Sequence, residues 1–544
     1  MKLIKSLLLG SAAGLTAVAG AQAADLPVKK AAPIEYVRVC GAYGAGFFYI
    51  PGTDTCLRVS GRARGEAGYN RSPNRKVAGG GDTSQFRGLL RLNVDARTQT
   101  EFGTLRAFAR IEAASATGEG KMASGTQARI GNAFFGTGQD AFNRVQDYIQ
   151  AEKAFIQFAG LTAGRASSFF DFYAHDFEII GSSLGSDQAS TNLFAYTKTF
   201  GEGFSATVSM EDPNFRKNPI FSNGGSLPGN TAANAIGQTF LAVGSNAPSP
   251  VILNFGPTGA VANVGYVDVV QRSRMPDFVG ALRYDQPWGS LQISGAVKDV
   301  NIGGFLGTIT TAPGQAAIGA GAAAGALAAR GITSGAQTDY GWAVQGGAKF
   351  NLPFIAPGDS FYLQGAYGEG AANYTGYTSY IGRYTQATGI VSGGPWNVYM
   401  NDAVVNPVTG RLELSTSWTV VASYLHYWTP QWRSAVYGSY GEMRQPGGAT
   451  AALRGLAAGG TGISGLPSAN PAALTATSTL VNTSQLVTGA SLIWSPVKDL
   501  DIGAEGQYIR VDTLNGQRVL NTDTGRLVSG QDTFQARVRV QRDF

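Results

Sequence analysis

The chain is poor in the residues that usually carry chemistry. Among 544 residues there are two cysteines and two histidines, and only 14% are charged. The lone histidines, His175 and His426, lie far apart and cannot supply a clustered metal or triad site from sequence neighbours. His175 has Asp171 and Asp176 nearby, which keeps a metal reading open but thin. No run approaches the ~20 unbroken apolar residues that a spanning helix needs, which argues against a helical membrane protein. The net charge of +6 is small for this length, and no basic stripe is interleaved with exposed aromatics, which argues against a nucleic-acid partner. The stretch Gly79–Gly81 lacks the following helix and Lys-Ser/Thr of a phosphate cradle. No cofactor is implied.

What is abundant is glycine (75), phenylalanine (28) and tyrosine (22), the composition of many short alternating strands joined by turns. The closing stretch Asp532–Phe544 displays the rule. Phe534, Ala536, Val538, Val540 and Phe544 share one parity; Gln535, Arg537, Arg539, Gln541 and Asp543 share the other. In a membrane barrel the oily face meets lipid and the polar face a wet lumen. Arg542 breaks the parity at the interface, where a long side chain can snorkel. Running out to a terminal aromatic, this strand resembles the closing strand of bacterial outer-membrane barrels, which implies that Phe544 is read by the barrel-assembly machinery.

The first residues have a basic start, a short apolar core and Ala21-Gln-Ala23, so 1–23 read as a secretory signal. Its removal takes away Lys2 and Lys5 and lowers the net charge from +6 to +4. Residues 24–55, with Pro27, Pro33 and Pro51, read as a periplasmic lead-in to a barrel over 56–544. In an oxidising compartment Cys40 and Cys56 are expected to form one disulfide, closing a short loop and contributing ~3 kcal/mol in the chain-entropy model. The rival is a metal or redox pair, weakened by the absence of nearby histidines.

The same two-residue period recurs along the chain. The first strand sets Leu57, Val59, Ala63 and Ala67 against Arg58, Arg62, Arg64 and Glu66. The second sets Phe86, Leu90, Leu92 and Val94 against Arg87, Arg91, Asp95 and Arg97. The third sets Leu105, Ala107, Ala109 and Ile111 against Arg106, Arg110 and Glu112. Further strands are expected near 148–158, 161–168, 191–199, 203–212, 277–286, 289–300, 339–350, 360–370, 411–428, 432–443, 484–495 and 498–512, with the parity blurred near 148–158, 191–199 and 432–443. With the last strand this makes about sixteen, joined alternately by short turns and long loops, as in bacterial barrels. Gly314 through Ala329 and Thr450 through Thr477 read as nearly uncharged surface loops. Tyr340, Phe350, Phe361, Tyr367, Tyr424, Trp428 and Trp494 mark strand ends, as interfacial girdles do. His426 falls on the lipid-facing parity between two of them.

Two stretches are more specific. Leu161-Thr-Ala-Gly-Arg-Ala-Ser-Ser-Phe-Phe-Asp171, then Thr191 to Phe204 with its Phe-Gly-x-Gly-Phe turn, resemble strand five, loop three and strand six of general bacterial porins. The run Tyr36-Val-Arg-Val-Cys-Gly-Ala-Tyr-Gly-Ala-Gly-Phe-Phe-Tyr-Ile-Pro-Gly-Thr-Asp-Thr-Cys-Leu-Arg-Val59 resembles the opening of the alphaproteobacterial, rhizobial and Brucella-type, porins. The resemblance implies an all-β, 16-stranded antiparallel transmembrane barrel in the outer membrane, amid lipid and lipopolysaccharide. It implies a homotrimer, with the third extracellular loop (165–190) folded inward as a constriction. The long loops near 213–276 and 444–483 match nothing in that pattern.

The residues themselves suggest how such a channel would work. Arg537 and Arg539 on the last strand adjoin Arg58, Arg62 and Arg64, then Arg87, Arg91 and Arg97, then Arg106 and Arg110, making one basic wall once the sheet closes. The constriction loop offers Asp171, Asp176, Glu178 and Asp187. Opposed charges across a narrowing order water and disfavour large apolar solutes, while ions and small hydrophilic molecules pass. A general diffusion porin is therefore expected, not an enzyme. The alternatives are a substrate-selective channel, or an adhesin or receptor using the long surface loops.

Overall fold

The computed structural model describes residues 38–70, 83–117, 145–173, 175–186, 190–221, 249–255, 261–310, 320–329, 331, 336–377, 400–458, 480–521 and 526–544. The expected signal (1–23), the first part of the lead-in, Asp187 and Gly79–Gly81 lie outside them.

A small N-terminal unit ends at Arg58. Within it Cys40 and Cys56 are joined, their Cα atoms 5.9 Å apart. Both are buried with Phe47, and Phe48–Tyr49 pair with Leu57 and Cys56 in a short antiparallel ladder. This pairing of the thiols removes the metal alternative.

The second unit is a closed antiparallel barrel of sixteen strands among the described residues. In chain order they are β1 (Cys56–Asn70), β2 (Ser84–Thr100), β3 (Gly103–Thr117), β4 (Val145–Phe158), β5 (Leu161–Ala166), β6 (Thr191–Gly201), β7 (Phe204–Glu211) and β8 (Asp277–Gln286). There follow β9 (Gly289–Ile302), β10 (Gln337–Asn351), β11 (Ser360–Glu369), β12 (Thr416–Tyr427), β13 (Trp432–Arg444), β14 (Thr483–Val497), β15 (Leu500–Thr513) and β16 (Gly530–Asp543). Each pairs with the next, and β16 returns to β1 from Arg62↔Asp543 to Asn70↔Gln535. Every strand expected from the alternation is present.

The alternation sorts side chains as a membrane barrel requires. On the outer parity of β8, Phe278 and Leu282 are exposed, while Val279 and Ala281 between them are buried. Aromatics stack at the outer surface near the short-turn end, Trp288 on Phe350 at 5.9 Å and Trp432 on Trp494 at 5.7 Å. Near the long-loop end Trp342 tilts against Tyr367 and Trp418 against Tyr440.

Three irregularities have local causes. In β4 the register slips between Arg110 and Ile111 of the partner strand, leaving Glu152 as an extra residue. That bulge is why the parity of 148–158 reads as blurred. The expected strand 411–428 is two strands: Leu412–Leu414 leaves the barrel to pair with Ala403–Val405, and β12 starts at Thr416. The two alanine-rich stretches carry short helices, Ala320–Ala328 and Gly447–Ala458, because alanine has the highest helix propensity of any residue. Other parts of the long connections build small sheets, Ser249–Phe255 with Val261–Val267 and Phe305–Thr310, and Ile220–Phe221 with Ala403–Val405. A buried apolar cluster that includes Val251, Val300, Ile302 and Val405 joins them.

The two-residue turns Ala159-Gly160 and Glu202-Gly203 have positive φ at both positions, the geometry that matches strand twist in tight hairpins. At Gly203 a Cβ would stand 2.0 Å from the Asp285 carbonyl oxygen, whereas at Gly201, also left-handed, it would meet open space. Gly201→Ala should therefore cost only the left-handed strain of about 1–2 kcal/mol. Gly203→Ala should lower the unfolding temperature of the detergent-folded protein further, as read by loss of the compact band on semi-native gels.

Candidate functional site

The inward face of β1–β3 and β16 carries a ladder of arginines, with Glu152 of β4 among its countercharges, and each rung is set by register. Glu66 lies opposite Arg539 across the closing seam, Arg64 opposite Gln541 and Arg62 opposite Asp543. The side chains meet where the register puts them. Arg539 reaches Glu66 at 2.7 Å, Arg64 reaches Gln541 at 2.6 Å, and Arg62 reaches Asp543 at 3.1 Å. Arg87, from the other neighbour of β1, also binds Glu66, at 2.9 Å, with both side chains sealed from solvent. Arg537 stands 3.9 Å from the same carboxylate. One buried glutamate on the first strand thus anchors three arginines, one from the second strand and two from the last.

Farther round, Arg91 bridges Glu112 at 2.7 Å and Glu152 at 3.2 Å. Asp95 accepts from Arg97 at 2.8 Å and Arg106 at 2.9 Å. Arg110 donates to Asn93 at 2.7 Å and approaches Glu152 at 3.6 Å. Arg58 belongs to the N-terminal unit and is exposed. The alternation identifies these arginines and places Glu66, Asp95 and Glu112 on the same face. It does not reveal that the carboxylates form a second ladder threaded through the first. Glu152 is hidden from such a reading by the bulge.

The segment after β5 is held by inward side chains of strands across the sheet. Gln292 of β9 donates to the carbonyls of Phe169, Phe170 and Asp171 at 3.2–3.3 Å. Gln345 of β10 donates to Phe170 at 2.7 Å, and Gln364 of β11 accepts from the Tyr173 N–H at 2.8 Å. Glu505 of β15 takes the backbone N–H groups of Ile179 and Ile180 at 2.6 and 2.9 Å, and Ser439 of β13 takes that of Leu184. Polar strand side chains here replace water as partners of the segment's backbone.

The loop acids differ in surroundings. Asp171 is clamped by the buried Arg216 at 2.6 Å. Burial opposes the Arg216 charge, but Asp171 outweighs it and raises the guanidinium pKa. Glu178 is buried, accepting from Tyr173 at 2.9 Å and from Ser183. Burial, reinforced by Glu178, pushes the Tyr173 phenol well up, so it stays a donor. Asp176 is exposed. Nothing in the sequence flagged Arg216, nor the sealed pair Lys298–Asp402 at 2.6 Å, because their partners come from distant loops.

His175 donates from Nε2 to the Ser183 carbonyl at 2.9 Å and is buried against Tyr173. His426 bonds through Nδ1 to Asp359 at 2.7 Å and packs edge-on against Trp428. Burial works against the Asp359 charge, but bonds from His426, the Tyr427 N–H and Tyr424 outweigh it and hold the carboxyl below its usual range. Among the described residues no group of three or more His, Cys, Asp or Glu is placed to hold a metal.

A closed sixteen-stranded barrel with an oily outer band and a charged interior defines a bacterial outer-membrane β-barrel. Residues 25–536 match the family model described as a porin subfamily, and the chain belongs to that family. It is similar to porin Omp2b of Brucella abortus (strain 2308), 33% identical over 293 residues, which are 53% of this chain and 64% of the relative. The match thus spans less than two thirds of the relative's length. Among solved structures it is similar to the outer membrane channel DcaP of Acinetobacter baumannii, 13% identical with a TM-score of 0.48, covering 91% of this chain and 99% of that one. It is also similar to the trimer form of OmpT from Vibrio cholerae, 6% identical with a TM-score of 0.41, covering 90% and 100%.

Removing one partner from a buried ionic cluster leaves uncompensated charge and typically costs about 3–5 kcal/mol. Glu66→Gln should therefore destabilise the folded barrel on that scale, seen as a lower urea midpoint. Asp543→Asn breaks a pair whose carboxylate is 43% exposed, and should cost only about 0–1 kcal/mol.

Proposed function

We propose that the protein is a passive diffusion channel for ions and small hydrophilic solutes, working as a homotrimer amid outer-membrane lipid and lipopolysaccharide. The observation that carries this reading is the arginine ladder on the inward face of β1–β3 and β16, with part of each Arg62, Arg91, Arg97, Arg106 and Arg110 side chain still accessible. Charged, hydrated groups on the inside of a closed barrel favour a water-filled lumen over a packed one.

The segment 165–190 acts as the constriction in this account. Its bonds to Gln292, Gln345, Gln364, Ser439 and Glu505 support an inward course, and Arg539 of the ladder also donates to its Ile179 carbonyl. Asp176 is its exposed acid and gives the narrowing a negative side, while Asp171 and Glu178 hold the loop in shape. Asp187 would add to that side. The arginines of the ladder outnumber the carboxylates paired with them, so anions concentrate along it. Residues 1–23 direct export, 24–55 form a periplasmic lead-in, and Phe544 serves the assembly machinery.

Planar-bilayer recording tests the channel and its wall together. The purified protein should give ohmic steps grouped in threes. Replacing Arg62, Arg91 and Arg106 by glutamine should move the reversal potential in a salt gradient toward cation preference. An unchanged potential would remove the wall from the mechanism, and absence of steps would favour a receptor or adhesin.

A further inference from the structure

Two phenylalanines stand where a wet lumen calls for polar side chains. Phe108 of β3 and Phe155 of β4 are cross-strand partners, their rings stacked with centroids 5.2 Å apart and planes 28° from parallel. Phe108 shares the inward parity of Arg106, Arg110 and Glu112, while Leu105 and Ile111 point to the exposed outer face. Both rings are only half-buried. Leaving apolar rings partly open to water forfeits some of the stabilisation that burying them would bring.

Phe155 reaches this position because of the bulge. Before it, Ile149 and Ala151 face outward. Without the extra residue, Phe155 would continue their odd-numbered parity toward lipid, where a phenylalanine is at home. The bulge reverses the parity, so that Lys153 and Gln157 face in and Ile156 faces out. A β-bulge that re-aims a side chain is a recurrent device beside binding sites. Phe155 packs on one side against the buried cluster of Ala166, Leu193 and Ala195, while Phe108 belongs to no buried cluster among the described residues and breaks the patterning rule, as residues at functional sites do.

The pair is ringed by cations. The Arg106 guanidinium carbon lies 5.0 Å from the Phe108 ring centre and 5.5 Å from that of Phe155, and Arg110 lies 5.7 Å from Phe108. These side chains keep 27% and 23% of their surface accessible. The nearby carboxylates are Asp95, shared by Arg97 and Arg106, and Glu152, shared by Arg91 and Arg110. Lys153 adds a further positive charge, donating to Ser167 at 2.6 Å. Arg106 is held through all three nitrogens by Asp95 and Gln157, whereas Arg110 holds Glu152 only loosely at 3.6 Å, so a second carboxylate engages Arg110 first.

We propose that Phe108 and Phe155, with Arg106 and Arg110, form a subsite for small aromatic carboxylates. The solute's ring extends the phenylalanine stack, and its carboxylate takes guanidinium N–H bonds. The site lies in the part of β3 and β4 nearest their short-turn ends, and it deepens the diffusion-channel reading, on which it rests, by naming a solute class that passes through a saturable step.

The test uses the full-length folded protein and benzoate, cyclohexanecarboxylate and acetate as probes. Labelled benzoate should bind the detergent-folded protein saturably in equilibrium dialysis, and in bilayers should reduce chloride current along the same saturation curve. Half-saturation should fall about tenfold below that for acetate, the scale of one aromatic pairing, with cyclohexanecarboxylate close to acetate. Phe108→Leu with Phe155→Leu should keep chloride conductance and lose the benzoate advantage. Equal behaviour of benzoate and acetate in the unaltered protein would overturn the subsite, as would a benzoate advantage that survives the double substitution. Should that variant not fold, the three-probe comparison decides alone. Dialysis needs no current, so absent chloride steps with intact benzoate binding would fault the channel reading and leave the subsite standing.

Discussion

The pairing of the first strand with the last governs everything else. In the hydrocarbon core no water is available to satisfy an open sheet edge, so the ladder has to close on itself. Register is fixed at the same time, because a slip of one residue would turn every inward side chain to lipid. Here the hydrogen-bond register and the ionic register coincide. Residues opposite each other across the seam, Glu66 with Arg539 and Arg62 with Asp543, are also the ones whose charges meet. A slipped closure would strand those arginines in the bilayer, at a cost of about 2–4 kcal/mol each near the midplane.

The interior divides into two kinds of wall. Along β1–β4 and β16 the inward face is charged and held by ion pairs shared between neighbouring strands. Elsewhere around the barrel it becomes apolar and amide-rich where the segment after β5 and the long connections press against it. Tyr437 and Met443 of β13, Val487 of β14 and Ile509 and Val511 of β15 are buried with Leu184, Tyr377 and Met400. Leu193 and Ala195 of β6 are buried near Phe169. This asymmetry sets a charged, ion-paired stretch of the inner wall apart from stretches on which the segment after β5 and the long connections pack.

That division also explains what the sequence made legible. Where the inner wall is wet, oily and polar residues alternate cleanly, and β1, β2, β3 and β16 could be read almost residue by residue. Where the inner wall is covered, both parities are apolar, so β6 and β13 lost their rhythm although their positions remained visible. Strand β4 was blurred for a third reason, a single extra residue at Glu152. The arginines of the ladder followed from parity alone. Their countercharges' roles did not, since pairing depends on which strands are neighbours and in which register. The clamps Arg216–Asp171 and Lys298–Asp402 join loops distant in sequence to the barrel interior, and no local pattern announces them.

The central claim is that this closed cylinder holds a continuous column of water. The conductance of single steps formed by the purified protein, followed as potassium chloride is raised, examines it most directly. A water-filled pore gives conductance that grows in proportion to the salt and does not depend on the sign of the voltage. Conductance that levels off with chloride, or bilayers that stay silent while circular dichroism shows a folded barrel, would contradict it.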